Sequence, residues 1–175
     1  MKKQRKKYSK PRKLHDSVRV KEENVLVEKY GLKNKKEIWK ADAAIKKIRY
    51  IAKNLITSSE EEKTKFIEKL KKMGFKVNDI GEILLLNKED RLKRRLQTIL
   101  FEKGMANNSK QARQFIVHKH VSIGDQIVNI PSYQVNLEEE PLVRLNLSLK
   151  LKENKEKTKI EEIKEVFEEI SKNEN

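Results

Sequence analysis

The hydrophobic positions of this chain follow a helical period over most of its length. The clearest case lies between residues 36 and 55, where apolar side chains recur at alternating spacings of three and four and so line one helix face. The preceding run Asn34-Lys35-Lys36-Glu37 is a variant of the capping box, which marks helix N-termini. The pattern therefore predicts an amphipathic helix. Its apolar face consists of Ile38, Ala41, Ile45, Ile48, Ala52 and Leu55.

Four more helices are predicted in the first 120 residues from the same period. Each has an Asp, Asn or Ser at its expected start, the residue types that cap helix N-termini, and three of them have a glycine just after their expected end, at Gly31, Gly74 and Gly104. The expected ranges are 17–30, about 59–73, about 88–102 and about 109–118.

The period changes from 3.6 to two after residue 120. Apolar residues alternate with polar ones from Val121 to Ile130, on both sides of the possible tight turn Gly124-Asp125, and this pattern predicts a β-hairpin. Strict alternation over 143–151 predicts a further strand.

The last part of the sequence returns to a helical pattern. A capping box at Thr158-Lys159-Ile160-Glu161 precedes an apolar stripe with many acidic neighbours, which predicts an acidic helix over about 158–171. Helices followed by a small antiparallel sheet and a final helix place the chain in the α+β class.

The charge of the chain is strongly and unevenly positive. The 175 residues contain 42 Lys and Arg against 27 Asp and Glu, a net charge of +15. Residues 1–15 are basic and nearly free of apolar side chains, so we expect a tail that is disordered until it binds. The electric field of so much positive charge attracts a polyanion. The simpler alternative is a solvated, highly charged surface without a specific partner.

The sequence offers no pattern for enzyme chemistry. It contains no Cys, its glycines are isolated, and it has no phosphate-cradling loop of the P-loop type. His118 and His120 could hold a metal, but Lys119 stands between them and no Cys or carboxylate is near to complete a site. We expect no cofactor and no catalytic residue, and no apolar run is long enough to span a membrane.

Basic residues cluster between residues 91 and 119. If one helix covers 88–102, Arg91, Arg94 and Arg95 share a face and crowd its start, where they oppose the helix dipole. Lys110 and Arg113 share a face of the following helix. The spacing suits contacts to a phosphate backbone, and ordinary surface charge explains it equally well.

Three segments resemble one known family. The stretch RRLQTILFEKGMANNSKQARQFIVHKHVSIGDQIVNIPSY, residues 94–133, is similar to the RNA-binding module of small-subunit ribosomal protein S-four, archaeal and eukaryotic type, often called the alpha-L motif. The stretch YGLKNKKEIWKA, residues 30–41, resembles the N-terminal helical domain of that family, as does the basic run KKYSKPR, residues 6–12.

The resemblance implies a division of the chain and a role. The expected parts are a basic tail 1–15, a helical domain 16–86, an alpha-L domain 87–151 of two helices with a small antiparallel sheet, and an acidic C-terminal helix 152–175. The role implied is that of a structural, cytoplasmic protein of the small ribosomal subunit. It would bind small-subunit rRNA early, nucleate assembly of the body, lie beside ribosomal protein S-five and influence decoding accuracy.

The resemblance and the charge pattern together assign RNA contact to a set of basic and polar residues. The expected RNA-contacting residues are Lys6, Lys7, Arg12, Arg91, Arg94, Arg95, Gln97, Thr98, Lys103, Ser109, Lys110, Gln111, Arg113, His118, Lys119 and His120.

The sequence departs from the family at two places, and two other functions stay open. Lys119 stands where the family often has Gly, so the turn there is expected to differ, and Gln126 and Ile127 replace cations that the family often has at the hairpin tip. The alternatives are an RNA-modifying enzyme anchored by the alpha-L module, and an RNA chaperone that recognises stalled ribosomal particles.

Overall fold

The computed structural model describes residues 7–146. Most of this part of the chain is helical, and a small sheet follows the helices. The elements are α1 (Ser17–Lys29), α2 (Lys36–Leu55), α3 (Glu60–Lys72), α4 (Ile80–Leu85), α5 (Lys88–Lys93), α6 (Leu96–Glu102), α7 (Ser109–Val117), β1 (Val121–Ile123), β2 (Gln126–Ile127), a 3₁₀ helix (Glu140–Leu142) and β3 (Val143–Leu145).

The helices with strong local signals form where the sequence predicts them. Asp16 caps α1 and accepts hydrogen bonds from the backbone N–H groups of Val18 and Arg19. Ser59 and Asn108 occupy the N-cap positions of α3 and α7. These predictions are confirmed because a cap and an apolar stripe are local features.

The predicted capping box of α2 is wrong. The N-cap of α2 is Lys35, which has helical dihedral angles and makes no side-chain capping bond. Glu37 instead pairs with Arg95 and Arg113 on distant elements. Two guanidinium partners replace the single backbone N–H that a capping box would give this carboxylate.

The predicted helix over 88–102 is broken in two. Asn87 caps α5 with a capping box completed by Asp90, but α5 ends at Lys93 and α6 starts at Leu96. A later segment causes the break, because Leu96 N–H donates to Tyr133 O (2.9 Å) and Val135 N–H donates to Arg94 O (3.0 Å). These two bonds replace helical bonds and set residues 94–95 antiparallel to the chain around residue 134.

The break reverses the expected effect of the helix dipole. Arg91 and Lys93 lie in the last turn of α5, the end at which positive charge is stabilised. The expectation that basic residues here oppose the dipole is therefore wrong.

The helix α4, for which no sequence pattern was identified, precedes this region and buries Ile80 and Ile83.

The small sheet contains three antiparallel strands in the order β2-β1-β3. Ser122 in the central strand lies opposite Ile127 on one side and Arg144 on the other. The hairpin is thus confirmed, with a return strand of two residues, and the α+β class is confirmed with it.

Three apolar clusters hold the described part together. The first lies between α6, α7 and the sheet, the second between the C-terminal half of α2, α3 and α4, and the third between α1, the N-terminal half of α2 and α5. Leu92 of α5, which is fully buried, belongs to the third cluster and is thereby packed with the N-terminal helices.

Several predictions concern residues outside the described range. They are the first six residues of the tail with Lys6, the strand beyond residue 146, and the acidic helix over 158–171. Within residues 7–146, no helix is long and apolar enough to cross a membrane.

Candidate nucleic-acid interface

A cleft of about 500 Å³ opens between α2, α5, α7 and the chain around residue 132. Ala41 and Ala44 of α2 give it part of an apolar wall, and Glu37 is the acidic residue that lines it. We call it the arginine cleft. The basic side chains that line it are Lys7, Lys40, Arg91, Arg95 and Arg113.

Glu37 holds two of the three arginines. Its Oε2 accepts a hydrogen bond of 2.5 Å from Arg95 and its Oε1 accepts one of 3.0 Å from Arg113. The side chains of Arg95, Glu37 and Arg113 are 5%, 14% and 24% exposed. One carboxylate on the first turn of α2 thus fixes two guanidinium groups, one before α6 and one on α7.

Burial and neighbouring charges shift the pKa values of Glu37 and Arg95 in opposite directions. Burial alone would raise the pKa of Glu37, but hydrogen bonds and charge from Arg113 and Arg95 outweigh it and lower that pKa. Burial lowers the pKa of Arg95 more than Glu37 raises it. An ion pair in such a place stabilises the fold only while both partners are present.

Arg91 is the third arginine of the cleft and differs from the other two. It is half-buried, and within residues 7–146 its guanidinium takes part in no hydrogen bond or ion pair. Burial, and then repulsion by Arg95, lowers its pKa. The cleft therefore holds three guanidinium groups and one carboxylate.

Three predicted RNA-contacting residues lie inside the protein. Gln97 is fully buried, and its Nε2 lies 2.9–3.0 Å from the carbonyl oxygens of Tyr30, Gly31 and Ser109. Thr98 donates to Leu92 O, and the Ser109 hydroxyl donates to Lys29 O. We assign these side chains to the fold, because Gln97 and Ser109 join α6 and α7 to the chain around the end of α1, and Thr98 joins α6 to α5.

Arg94 also departs from its expected place. Its side chain is 14% exposed and donates to Glu140 (2.7 Å) and to Val135 O (2.8 Å). It lies against Gly74, where an added Cβ would come within 2.4 Å of the Arg94 Nε. The prediction that Arg94 shares a helix face with Arg91 and Arg95 is wrong, because α5 ends before Arg94.

The remaining predicted residues lie at or near the surface. Gln111 accepts a bond from the Asn107 N–H, and Lys103 donates to Glu140 O. His120 is half-buried with its ring 6.4 Å from that of Phe115. In the described part of the chain, no three His, Asp or Glu side chains are grouped to hold a metal. The exposed predicted residues are Lys7, Arg12, Lys103, Lys110, His118 and Lys119.

Lys119 adopts the left-handed backbone conformation that glycine takes most readily. Its φ is +65°, the one positive φ outside glycine in residues 7–146. The expectation of a different turn rested on lysine avoiding a positive φ, and that premise is wrong. A lysine at such a φ is strained, and the hydrogen bonds from Lys119 N–H to Ile116 O and from His120 N–H to Phe115 O hold the turn.

Lys40, Ser132 and Gln134 also line the cleft, and they are not among the residues expected to contact RNA. Lys40 and Ala44 follow Glu37 at helical spacings, so one face of α2 carries an acid, a base and small residues. That spacing was a usable signal for Lys40. Ser132 and Gln134 reach the cleft because the chain beyond the hairpin returns to Arg94 and Arg95, and no local pattern contains that contact.

The comparisons with known proteins agree on one family. Residues 94–140 match the model described as S4 domain. The chain is 42% identical over 132 residues to the small ribosomal subunit protein uS4 of Methanococcus aeolicus, which covers 71% of this chain and 75% of that protein. It is 40% identical over 149 residues to the small ribosomal subunit protein uS4 of Saccharolobus islandicus, which covers 81% of this chain and 82% of that protein.

Proposed function

The chain belongs to the uS4 family of small ribosomal subunit proteins, and from this premise we propose that it is a primary binder of small-subunit rRNA. Its relatives are ribosomal proteins of archaea. Its role is therefore structural, and the prediction that it is no enzyme is confirmed. Its place of action is the cytoplasm. The two alternatives, an RNA-modifying enzyme and a free RNA chaperone, have no support in these relatives.

One observation supports direct RNA binding most strongly. The part that matches the S4 domain exposes Lys110 at the start of α7 and Lys119 just after its end, and neither forms an ion pair within residues 7–146. Arg113, between them in sequence, lines the arginine cleft. Exposed, unpaired cations at both ends of one helix suit a phosphate backbone that is held by its shape.

The proposal extends to the order of assembly. A surface with exposed, unpaired cations can bind bare rRNA without waiting for another protein. We therefore propose that the chain joins the rRNA early, nucleates folding of the body of the subunit, affects decoding accuracy and lies beside ribosomal protein S-five. Cross-linking in purified subunits tests the last point, since a neighbour must yield cross-linked peptides.

Binding to protein-free small-subunit rRNA tests the proposal at the residue level. The variant pair Lys110→Glu with Lys119→Glu removes the supporting charge. The control pair Lys21→Glu with Lys65→Glu makes the same change of charge on exposed positions of α1 and α3. We expect the first pair to lose affinity at least tenfold more than the control pair, because only it removes phosphate contacts. Equal losses would contradict the proposal and reduce it to a general attraction by net charge.

A further inference from the structure

The arginine cleft carries more positive charge than its own acidic group balances. The Glu37 carboxylate bonds to Arg95 and Arg113, which leaves Arg91 half-buried and unpaired within the described residues. A buried charge without a partner destabilises a fold. A bound anion would supply the missing charge, so the half-buried, unpaired arginine indicates a binding site for an anion.

A second donor in the cleft is also without a partner. The side chain of Arg95 is 5% exposed, and its Nε is buried and makes no hydrogen bond in the described part of the chain. Buried donors are almost always paired. The cleft thus combines an unpaired guanidinium, which favours an oxygen-bearing anion, with a shielded N–H that has no acceptor within the described residues.

The space in the cleft fits such a ligand. Its volume of about 500 Å³ lies within the range of small-molecule sites, about 300–1,000 Å³. The small side chains of Ala41 and Ala44 leave this room on α2, and Lys7 and Lys40 reach its rim from exposed positions. A phosphate with its sugar can therefore enter, and the surrounding cations are already in place.

We propose that the arginine cleft is a discrete site for one phosphate group, bound by Arg91 with Lys40 and Lys7 while Glu37 holds Arg95 and Arg113 in position. The rRNA backbone supplies that phosphate, a source that rests on the proposed function, and inorganic phosphate offers the same chemistry. Guanidinium groups suit this role because their forked N–H donors match phosphate oxygens. Partial burial strengthens each bond, since the site is shielded from water.

Titration of the full chain with inorganic phosphate tests the cleft without RNA. The arginine Nε–H signals are followed by nuclear magnetic resonance in the wild type and in Arg91→Gln, Lys40→Gln and Arg144→Gln. Arg144 is an exposed arginine on β3 outside the cleft and is the matched control. We expect saturable shifts of the Arg91 and Arg95 signals in the wild type and in Arg144→Gln, weakened in Lys40→Gln, and no saturable shift of Arg95 in Arg91→Gln.

The same variants with protein-free small-subunit rRNA identify the source of the phosphate. Arg91→Gln is expected to lose rRNA affinity about tenfold or more, the loss typical of one charged hydrogen bond, while Arg144→Gln changes little. The slope of log affinity against log salt should fall by about one for Arg91→Gln. The melting temperature of Arg91→Gln should hold or rise, because an unpaired, half-buried charge has been removed, whereas a purely structural Arg91 would lower it.

Each outcome decides one part of the proposal. The absence of saturable phosphate shifts at Arg91 and Arg95 overturns the site. Phosphate binding with unchanged rRNA affinity in Arg91→Gln and Lys40→Gln overturns rRNA as the source and leaves a site for a free anion. Failure of the wild type to bind rRNA overturns the proposed function alone, because the titration with inorganic phosphate still tests the cleft. If Arg91→Gln does not fold, the exposed Lys40→Gln decides both arms.

Discussion

Glu37 accepts a hydrogen bond of 2.5 Å from Arg95, which follows it by 58 residues in the chain. Both side chains are largely shielded from solvent, and Arg113 bonds to the same carboxylate. The first turn of α2 is thereby fixed to the start of α6 and to α7. The contact sets the geometry of the arginine cleft, since all three side chains line it.

Glu37→Gln should strongly destabilise the protein. The amide cannot neutralise two arginines, and removing one partner of a buried ion pair costs about 3–5 kcal/mol. Asp42→Asn is the matched control, because Asp42 forms an exposed pair with Lys46 on the same helix, a type worth about 0.3–0.5 kcal/mol. Urea unfolding at neutral pH measures both free energies, and equal small losses would contradict a structural role for the Glu37 pair.

The effect of Glu37→Gln should depend on pH. The folded-state pKa of Glu37 lies below its ordinary value of 4.5, so its charge stabilises the fold fully above that value. The contribution is lost as the pH falls through the folded-state pKa. The difference in unfolding free energy between wild type and variant should therefore be constant near neutrality and shrink below about pH 4.5. A difference that stays constant down to pH 3 would show that folding does not lower the pKa of Glu37 and would contradict its pairing with the two arginines.

The sequence predicts those elements whose signals are local. Asp16 and the stripe through Ile45 indicate α1 and α2, because a cap and a helical period lie within a few residues of the element they define. The same holds for the hairpin at Gly124-Asp125.

The break between α5 and α6 could not be predicted in this way. Residues 133–135 impose it across about forty positions of chain through Tyr133 and Val135.

The candidate site was only partly predictable for a related reason. Position in the family module marks Gln97 and Arg95 as important, but whether a polar side chain faces RNA or another helix depends on packing, and here both are buried.

Gly31→Ala should be more destabilising than the same change at another glycine with the same φ. Gly31 and Gly124 have φ of +57° and +58°, but a Cβ at Gly31 would lie 2.8 Å from the Ser109 Cβ, whereas nothing lies within 4 Å at Gly124. Both variants incur the left-handed backbone penalty of about 1–2 kcal/mol, and Gly31→Ala must also displace α7. Thermal unfolding of the two variants isolates the clash. Equal losses would mean that α7 moves aside freely.

Replacing Lys119 by glycine should have opposite effects on the stability of the protein and on its affinity for RNA. Its φ of +65° costs an L-residue about 1–2 kcal/mol, while glycine loses about 0.5–1 kcal/mol more in backbone entropy on folding. Lys119→Gly should therefore stabilise the free protein by about 0.5–1 kcal/mol.

Lys119→Gly also removes an exposed charge, so it should weaken binding to small-subunit rRNA and reduce the salt slope by about one. Lys119→Gln is the matched control, because it removes the charge and keeps a side chain in the strained conformation. The Gln variant should lose the same RNA affinity without the gain in stability. If Lys119→Gly gains stability and keeps its full RNA affinity, the lysine at this turn does not contact the phosphate backbone, and the strain of its conformation has another cause.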